Sequence, residues 1–254
     1  MTQAGAVYVY GVIRAADAKR LDADGIEGSA VRAVTDGELA ALVSDIAGEA
    51  LNAAREVRAH WRVLHAASND VTVLPVRFGT ALRDDDEVRD SLLAPNRERL
   101  AALLRHLSGR VQLGVKGRYD EQALLREIVT SSKPVAALRE RIRALPENAA
   151  YYDNIQLGEL VAAEVDRRRQ HDQQIALGAL EPQAVEARVQ APGGDDGAFD
   201  LAFLVERDRI DAFSKAVVKL GDEVGGRITM RYVGPLPPYS FADTELDATG
   251  AAWA

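Results

Sequence analysis

The sequence predicts an α+β fold in two domains joined by a helical middle segment, and three observations carry that reading. Strand and helix signals interleave from the start of the chain to Tyr119, residues 120–180 follow helical patterns almost throughout, and residues 181–241 read as strand, strand, helix, strand. Short strands interleaved with amphipathic helices give antiparallel sheets covered by helices rather than a bundle or a barrel. The expected boundaries are 1–119 for an N-terminal α+β domain, 120–180 for the helical segment, 181–241 for a C-terminal α+β unit, and 242–254 for a frayed tail. A chain of 254 residues is long enough for this division.

The elements follow in order. AVYVYGVIR, from Ala6, is apolar on both alternating faces, with Val7, Val9 and Gly11 on one and Tyr8, Tyr10 and Val12 on the other. Such a strand belongs in the middle of a sheet. In SAVRAVTDGELAALVSDI, Asp36 and Gly37 separate two apolar runs, the dipeptide that a tight hairpin prefers. From Leu51 to Ser68 the spacing of Leu51, Val57, Trp61, Leu64 and Ala67 predicts a helix with those residues inward. VTVLPVRFGT reads as a strand that Pro75 ends or bulges, because proline donates no ladder bond.

RDDDEVRDSLLAPNRERLAALLRHLSG reads as helix, with Leu92, Leu93, Leu100, Leu103, Leu104 and Leu107 as its apolar set and Gly109 as its stop. RVQLGVKGRY returns to strand. DEQALLREIVTS, KPVAALRERIRAL and AAYYDNIQLGELVAAEVDRRRQHDQQIALGAL are three helical segments, with Pro134 and Pro146 where helices start or stop. Asp166 to Gln174 contains no apolar residue, which predicts helical turns projecting into solvent. QAVEARVQAP and AFDLAFLVERD are strands around the flexible GGDDG, RDRIDAFSKAVVKLGDEVGG is an amphipathic helix with Ile210, Phe213, Val217 and Leu220 inward, and RITMRYVG is a closing strand.

Composition narrows the function classes. With 47% hydrophobic and 28% charged residues the chain has the makeup of a folded globular protein. A net charge of −8 repels phosphate backbones and anionic lipid, so neither nucleic acid nor membrane is an expected partner. The absence of cysteine removes disulfides, thiolate metal sites and a cysteine nucleophile, and fits a reducing, cytoplasmic setting. The apolar run from Ala6 to Ile13 has no basic segment ahead of it and is rich in strand formers, so it reads as a strand and not as a signal peptide. No apolar stretch approaches the roughly 20 residues that cross a bilayer.

The search for chemistry returns no catalytic, cofactor-binding or metal residue. His60 and His65, the closest pair of the four histidines, lie about 140° apart around a helix and cannot ligate from one face. Neither H-E-x-x-H nor a cysteine cluster accompanies them. The acidic run Asp84 to Glu87 could hold magnesium, yet carboxylates at a helix start also cap it and complement its dipole. The phosphate-loop pattern and G-x-S-x-G are missing, and GDEVGG follows a helix instead of a strand.

Two stretches remain as candidate protein contacts. Arg167, Arg168 and Arg169, flanked by Glu164, Asp166 and Asp172, form either a solvated helix face or a charged contact for another protein. In RYVGPLPPYSF the prolines restrict the backbone to an extended path, and Pro237, Pro238, Tyr239 and Phe241 form either a strap over the protein's own core that joins the two domains or a rigid aromatic contact.

YVYGVI, VLPVRFGT with the tryptophan and histidine helix before it, VQLGVKG, AFLV and RYVGPLPPYSF, in that order along nearly the whole chain, resemble the GvpL/GvpF family of gas vesicle accessory proteins. The resemblance implies two α+β domains, the C-terminal one ferredoxin-like, and a non-enzymatic role in forming gas vesicles, hollow cytoplasmic compartments walled by a polymer of a small hydrophobic shell protein. It implies binding to that GvpA-type shell protein and possession of no cofactor, either as an assembly factor or as a minor component of the vesicle. Leu236 stands where an aromatic residue accompanies the prolines in the family, and no catalytic residue transfers. The sheet of the first domain and the helix around Arg167 to Arg169 are the expected contact surfaces. The rival reading is a small-molecule enzyme or sensor on a ferredoxin-like fold, with His65, Arg77 and Lys116 as its nominees because they flank predicted strands.

Overall fold

Strand β1 (Ala6–Arg14) organises the first sheet, as its two apolar faces require. The structure, a computed structural model, describes residues 5–18, 23–47, 54–146 and 149–242. On one side β1 pairs antiparallel with β3 (Leu39–Ile46), in a register that sets Tyr8 opposite Ser44 and Val12 opposite Ala41. On its other side it meets two short antiparallel strands, β4 (Leu74–Pro75) and β5 (Ala81–Leu82). Pro75 ends β4 after two residues, for want of an N–H to donate. At Gly11 a Cβ atom would lie 2.7 Å from the Leu74 carbonyl oxygen, so the absence of a side chain there lets β4 approach. The strand β2 (Arg32–Asp36) completes the order β2-β3-β1-β4. Its two-residue connection to β3 is Gly37 and Glu38, with Gly37 at φ 57°, a conformation that suits glycine.

Helices cover both faces of this sheet. Helix α1 (Ala54–Asp70) packs Ala59, His60, Val63, Leu64 and Ala67 against Tyr8, Tyr10, Ala40, Leu42 and neighbours. The inward face therefore differs from the expected one. Leu64 and Ala67 are buried, but Val57 is exposed, Trp61 is 43% exposed, and Leu51 lies outside the described residues. Beside the expected Leu64 and Ala67, the packing falls to Ala59, His60 and Val63.

The single helix expected from Arg83 onward is three pieces. The short α2 (Asp85–Glu87) runs into a π turn, Val88–Leu93, and α3 (Arg97–Leu107) restarts after Pro95. The Asp84 carboxylate accepts the Glu87 N–H at 2.8 Å while the Glu87 carboxylate accepts the Arg83 N–H at 2.6 Å, a reciprocal cap that explains the acidic run. Leu92, Leu93, Leu100, Leu104 and Leu107 are buried, and Leu103 is only partly so. α3 packs against β1 and β3. The first sheet, expected to be a contact surface, is thus spent on the chain's own core.

The second sheet has the order β7-β8-β6-β9. Its strands are β6 (Arg110–Tyr119), β7 (Glu186–Gln190), β8 (Gly197–Glu206) and β9 (Ile228–Leu236), with β7 and β8 antiparallel. Between β6 and β7 come α4 (Glu121–Ser131), α5 (Lys133–Ala144) and α6 (Tyr151–Leu180), and between β8 and β9 comes α7 (Ile210–Val224). Asp120 caps α4 by accepting the Ala123 N–H at 2.8 Å. Helix α7 buries Phe213, Val217 and Leu220, and Phe213 packs on Phe203 with ring centres 5.1 Å apart.

The chain therefore divides as Met1–Gln112 with Pro235–Ala254, and Leu113–Gly234. This grouping differs from the expected 1–119, 120–180 and 181–241. β6 is an inner strand of the second sheet, α6 packs against β8 and α7, and α4 and α5 pack on α6, so the middle helices form no separate linker. Residues 235–242 return to the first unit, where the Ser240 N–H donates to the Gln112 side-chain oxygen at 2.8 Å. The predicted tail falls outside the described residues from position 243.

Candidate protein-contact site

Helix α6 is about 45 Å long by its 30 residues, and its two halves are built differently. In the Asp166 to Gln174 stretch Asp166, Arg167, Gln170, His171 and Gln174 are exposed as expected, but the opposite face is packed. Arg168 donates to Glu164 at 2.7 Å and to Glu127 of α4 at 3.2 Å, and it also bonds Ser131. Arg169 donates to the carbonyl oxygens of Gly197 at 2.8 Å and Asp195 at 3.0 Å, which ties the helix to the loop before β8. Asp172 is fully buried, accepting the Tyr119 hydroxyl at 2.8 Å and pairing with Arg227. Burial, then the Asp172 bond, pushes the Tyr119 hydroxyl well above its ordinary range. The inner face of the charged stretch can pack, down to the buried Asp172, because its charges have partners, which a hydropathy pattern cannot reveal. Of the three arginines only Arg167 is largely exposed, paired with Glu164 at 2.9 Å.

The other end of α6 presents apolar groups to solvent. Tyr151 is 67% and Tyr152 82% exposed, Ile155 follows one turn later, and the two tyrosine rings meet edge to face at 5.4 Å. Asp153 pairs with Arg141, which fixes α5 to this part of α6 and brings the exposed Leu145 at the end of α5 into the same region of the chain. The sequence reading passed over this end. The doublet Tyr151-Tyr152 at a helix start, followed by Ile155, was the available signal.

The strap is mostly consumed by its own unit. Pro237, Pro238 and Phe241 are buried, and the Phe241 and Ala242 N–H groups donate to the Pro238 carbonyl at 3.0 and 2.9 Å. Tyr239 turns partly outward, with its hydroxyl pushed up to about 12 by partial burial.

The nominees for small-molecule chemistry do not assemble. His65 stacks on the exposed Trp61 at 4.6 Å, and Arg77 is exposed with its carbonyl accepting the Thr80 hydroxyl at 2.8 Å. Both belong to the first unit, whereas Lys116 belongs to the second and pairs with Asp200 at 2.6 Å. Among the described residues no group of three or more histidine or acidic side chains is placed to hold a metal, and no helix is long and apolar enough to cross a membrane.

The most elaborate polar cluster is sealed in the core of the first unit. The Gly79 N–H donates to the Tyr8 hydroxyl at 3.1 Å, and that hydroxyl is hydrogen-bonded to Nδ1 of His60 at 2.8 Å. In parallel the Ile26 N–H donates to the Tyr10 hydroxyl at 2.7 Å, which bonds Ser44 at 2.8 Å. Tyr10 stacks on His60 and Phe78 meets it edge-on. Burial drives the His60 imidazole down to about 4, with the Val76 backbone partly opposing. This cluster pins β1 to α1 and has no opening for a reactant.

With this geometry in place, comparison with known proteins is specific. The family described as Gas vesicle synthesis protein GvpL/GvpF matches residues 6–243. Gas vesicle protein F of Streptomyces sp. (strain CB03234) is 36% identical over 241 residues, spanning 93% of this chain and 99% of that protein. The crystal structure of the gas vesicle protein GvpF from Anabaena sp. PCC7120 matches with a TM-score of 0.82 at 24% identity, covering 94% of this chain and 98% of that one. That of GvpF from Microcystis aeruginosa matches with a TM-score of 0.76 at 26% identity, covering 93% and 98%.

Proposed function

We propose a role that starts from one premise: this chain belongs to the gas vesicle synthesis protein GvpL/GvpF family. In that role it is a non-enzymatic assembly factor or minor structural component of cytoplasmic gas vesicles, and it binds the hydrophobic GvpA-type shell protein. A subunit destined for a water-repelling wall exposes apolar surface until it polymerises, and such surface aggregates unless covered. We read residues 113–234, with their β-α-β-β-α-β order and β7-β8-β6-β9 arrangement, as a ferredoxin-like unit that supplies a rigid platform for this contact.

The observation that carries the reading is the exposed apolar start of α6, Tyr151, Tyr152 and Ile155. Aromatic residues held on a fixed helix are typical anchors of protein contacts. Arg167 and the outward Tyr239 remain available as further contacts, whereas Arg168 and Arg169 are engaged inside the second unit and Pro237, Pro238 and Phe241 are buried in the first. The net charge of −8 would keep a complex dispersed.

The test is co-purification of this chain with the shell subunit, beside a Tyr151→Ser, Tyr152→Ser double variant of unchanged thermal midpoint. The expected outcome is a complex at micromolar concentrations of both proteins, weakened at least about tenfold in the variant, as loss of anchors costing over 1.4 kcal/mol implies. No complex with either form would sink the proposal.

A further inference from the structure

We infer that the second unit carries a carboxylate-binding groove on its sheet, built to take an acidic extended segment of a partner protein. A cavity of about 590 Å³ is lined by Lys116 and Arg118 of β6, Thr229 and Arg231 of β9, Asp200 of β8 and the backbone of the β7–β8 loop. β6 and β9 are neighbours in the sheet, and each contributes residues two apart, so alternation sends each pair to one face of its strand. Four polar heads are thereby gathered from two adjacent strands.

Gly117, between Lys116 and Arg118, turns to the other face of β6, where a Cβ would fall 2.7 Å from the ring of the buried Phe199, so what lies between the charged and polar heads is strand backbone.

Charge balance selects the ligand class. Lys116 is paired with Asp200 at 2.6 Å and Arg118 with Asp196 at 3.5 Å, whereas Arg231 has no partner among the described residues. Three cations against two carboxylates leave one positive charge. A single side-chain carboxylate neutralises it through the planar fork of Arg231, with Lys116, one of its three donors spent on Asp200, supplying a second contact. A phosphorylated ligand would bring more negative charge than the groove compensates. The site is independent of the apolar start of α6 and requires no vesicle component, so the two readings fail separately.

The experiment is titration of the isotope-labelled full chain with acetyl-Ala-Leu-Glu-Ala-Leu-amide, following the Gly117 and Gly193 amides and the Arg231 Nε–H by NMR. Parallel arms use the same peptide with Gln for Glu, and inorganic phosphate. The groove predicts saturable shifts with the Glu peptide, at least about tenfold weaker binding of the Gln peptide, and a loss of about tenfold or more in Arg231→Ala, the range for a hydrogen bond to a charged group. Arg231 is exposed, so Arg231→Ala should fold normally, and its thermal midpoint checks this. Equal binding of the Glu and Gln peptides, tighter binding of phosphate than of the Glu peptide, or shifts confined to other surfaces would each overturn the inference.

Discussion

The two halves of α6 belong to one continuous helix and obey opposite rules. From Glu164 to Asp172 the helix carries charge, and it is packed because Glu127, Tyr119, Arg227 and two loop carbonyls answer those charges. From Tyr151 to Ile155 it carries apolar groups, and those face water. Polarity read residue by residue therefore misses the packed face of one half and the exposed face of the other. What decides burial here is whether a partner exists: the inner face of the charged half has found its partners within the chain, and the apolar half presents surface that stays exposed among the described residues.

This contrast can be broken most forcefully at Asp172. Asp172→Ala leaves Arg227 and the Tyr119 hydroxyl without their buried acceptor, and breaking one side of a buried pair costs about 3–5 kcal/mol. Urea unfolding should register that loss; a cost below about 1 kcal/mol would mean that charge does not hold the packed half.

Acid sharpens the contrast from the other unit, where a buried polar centre is kept neutral. His60 stays unprotonated in the folded chain down to about 4 and takes up a proton once unfolded below its ordinary 6.5. Its contribution is complete above pH 6.5 and is lost as pH falls from 6.5 toward 4, by about 3 kcal/mol for a displacement of about 2.5 pH units. His60→Gln should flatten that part of the stability profile, measured by denaturant titration at a series of pH values.

A smaller effect is expected at Arg168, which bridges α6 and α4 while partly open to solvent. Arg168→Ala should cost about 1–2 kcal/mol, since hydrogen bonds to charged groups contribute about 1.5–3 kcal/mol each before solvent screening. Thermal unfolding would report it. The smallest change belongs to the exposed half: Tyr152→Ser should leave stability within about 0.5 kcal/mol, and a larger loss would mean that the tyrosine is already covered by its own chain.

Much of the fold was legible. β1, the β2–β3 hairpin, the stop at Pro75 and the inward face of α7 follow from apolar alternation, a glycine turn and helical spacing, all local signals. The inward face of α1 was legible only at Leu64 and Ala67, because Ala59, His60 and Val63 carry the rest while Val57 and Trp61 lie outside. The packing of the charged stretch was hidden for a different reason. Asp172 meets Arg227 and Tyr119 across 55 and 53 residues, and nothing local announces either meeting. The strap admitted two readings from its sequence, and Pro237, Pro238 and Phe241 lie in the core of the first unit with Pro235 and Tyr239 outward. The apolar start of α6 was visible in the sequence as a tyrosine doublet, but the context that makes it a surface came only with the helix it begins.

One covalent fact has a bearing on biogenesis. The whole of Leu113–Gly234 is inserted between two parts of the first unit, and residues 235–242 complete that unit's core. During synthesis on the ribosome the inserted unit emerges entire and can fold as it appears, while the first must wait with Phe241's seat empty until residues 235–242 have followed. Truncation just before Pro235 would thus leave a finished insert hanging from an open host.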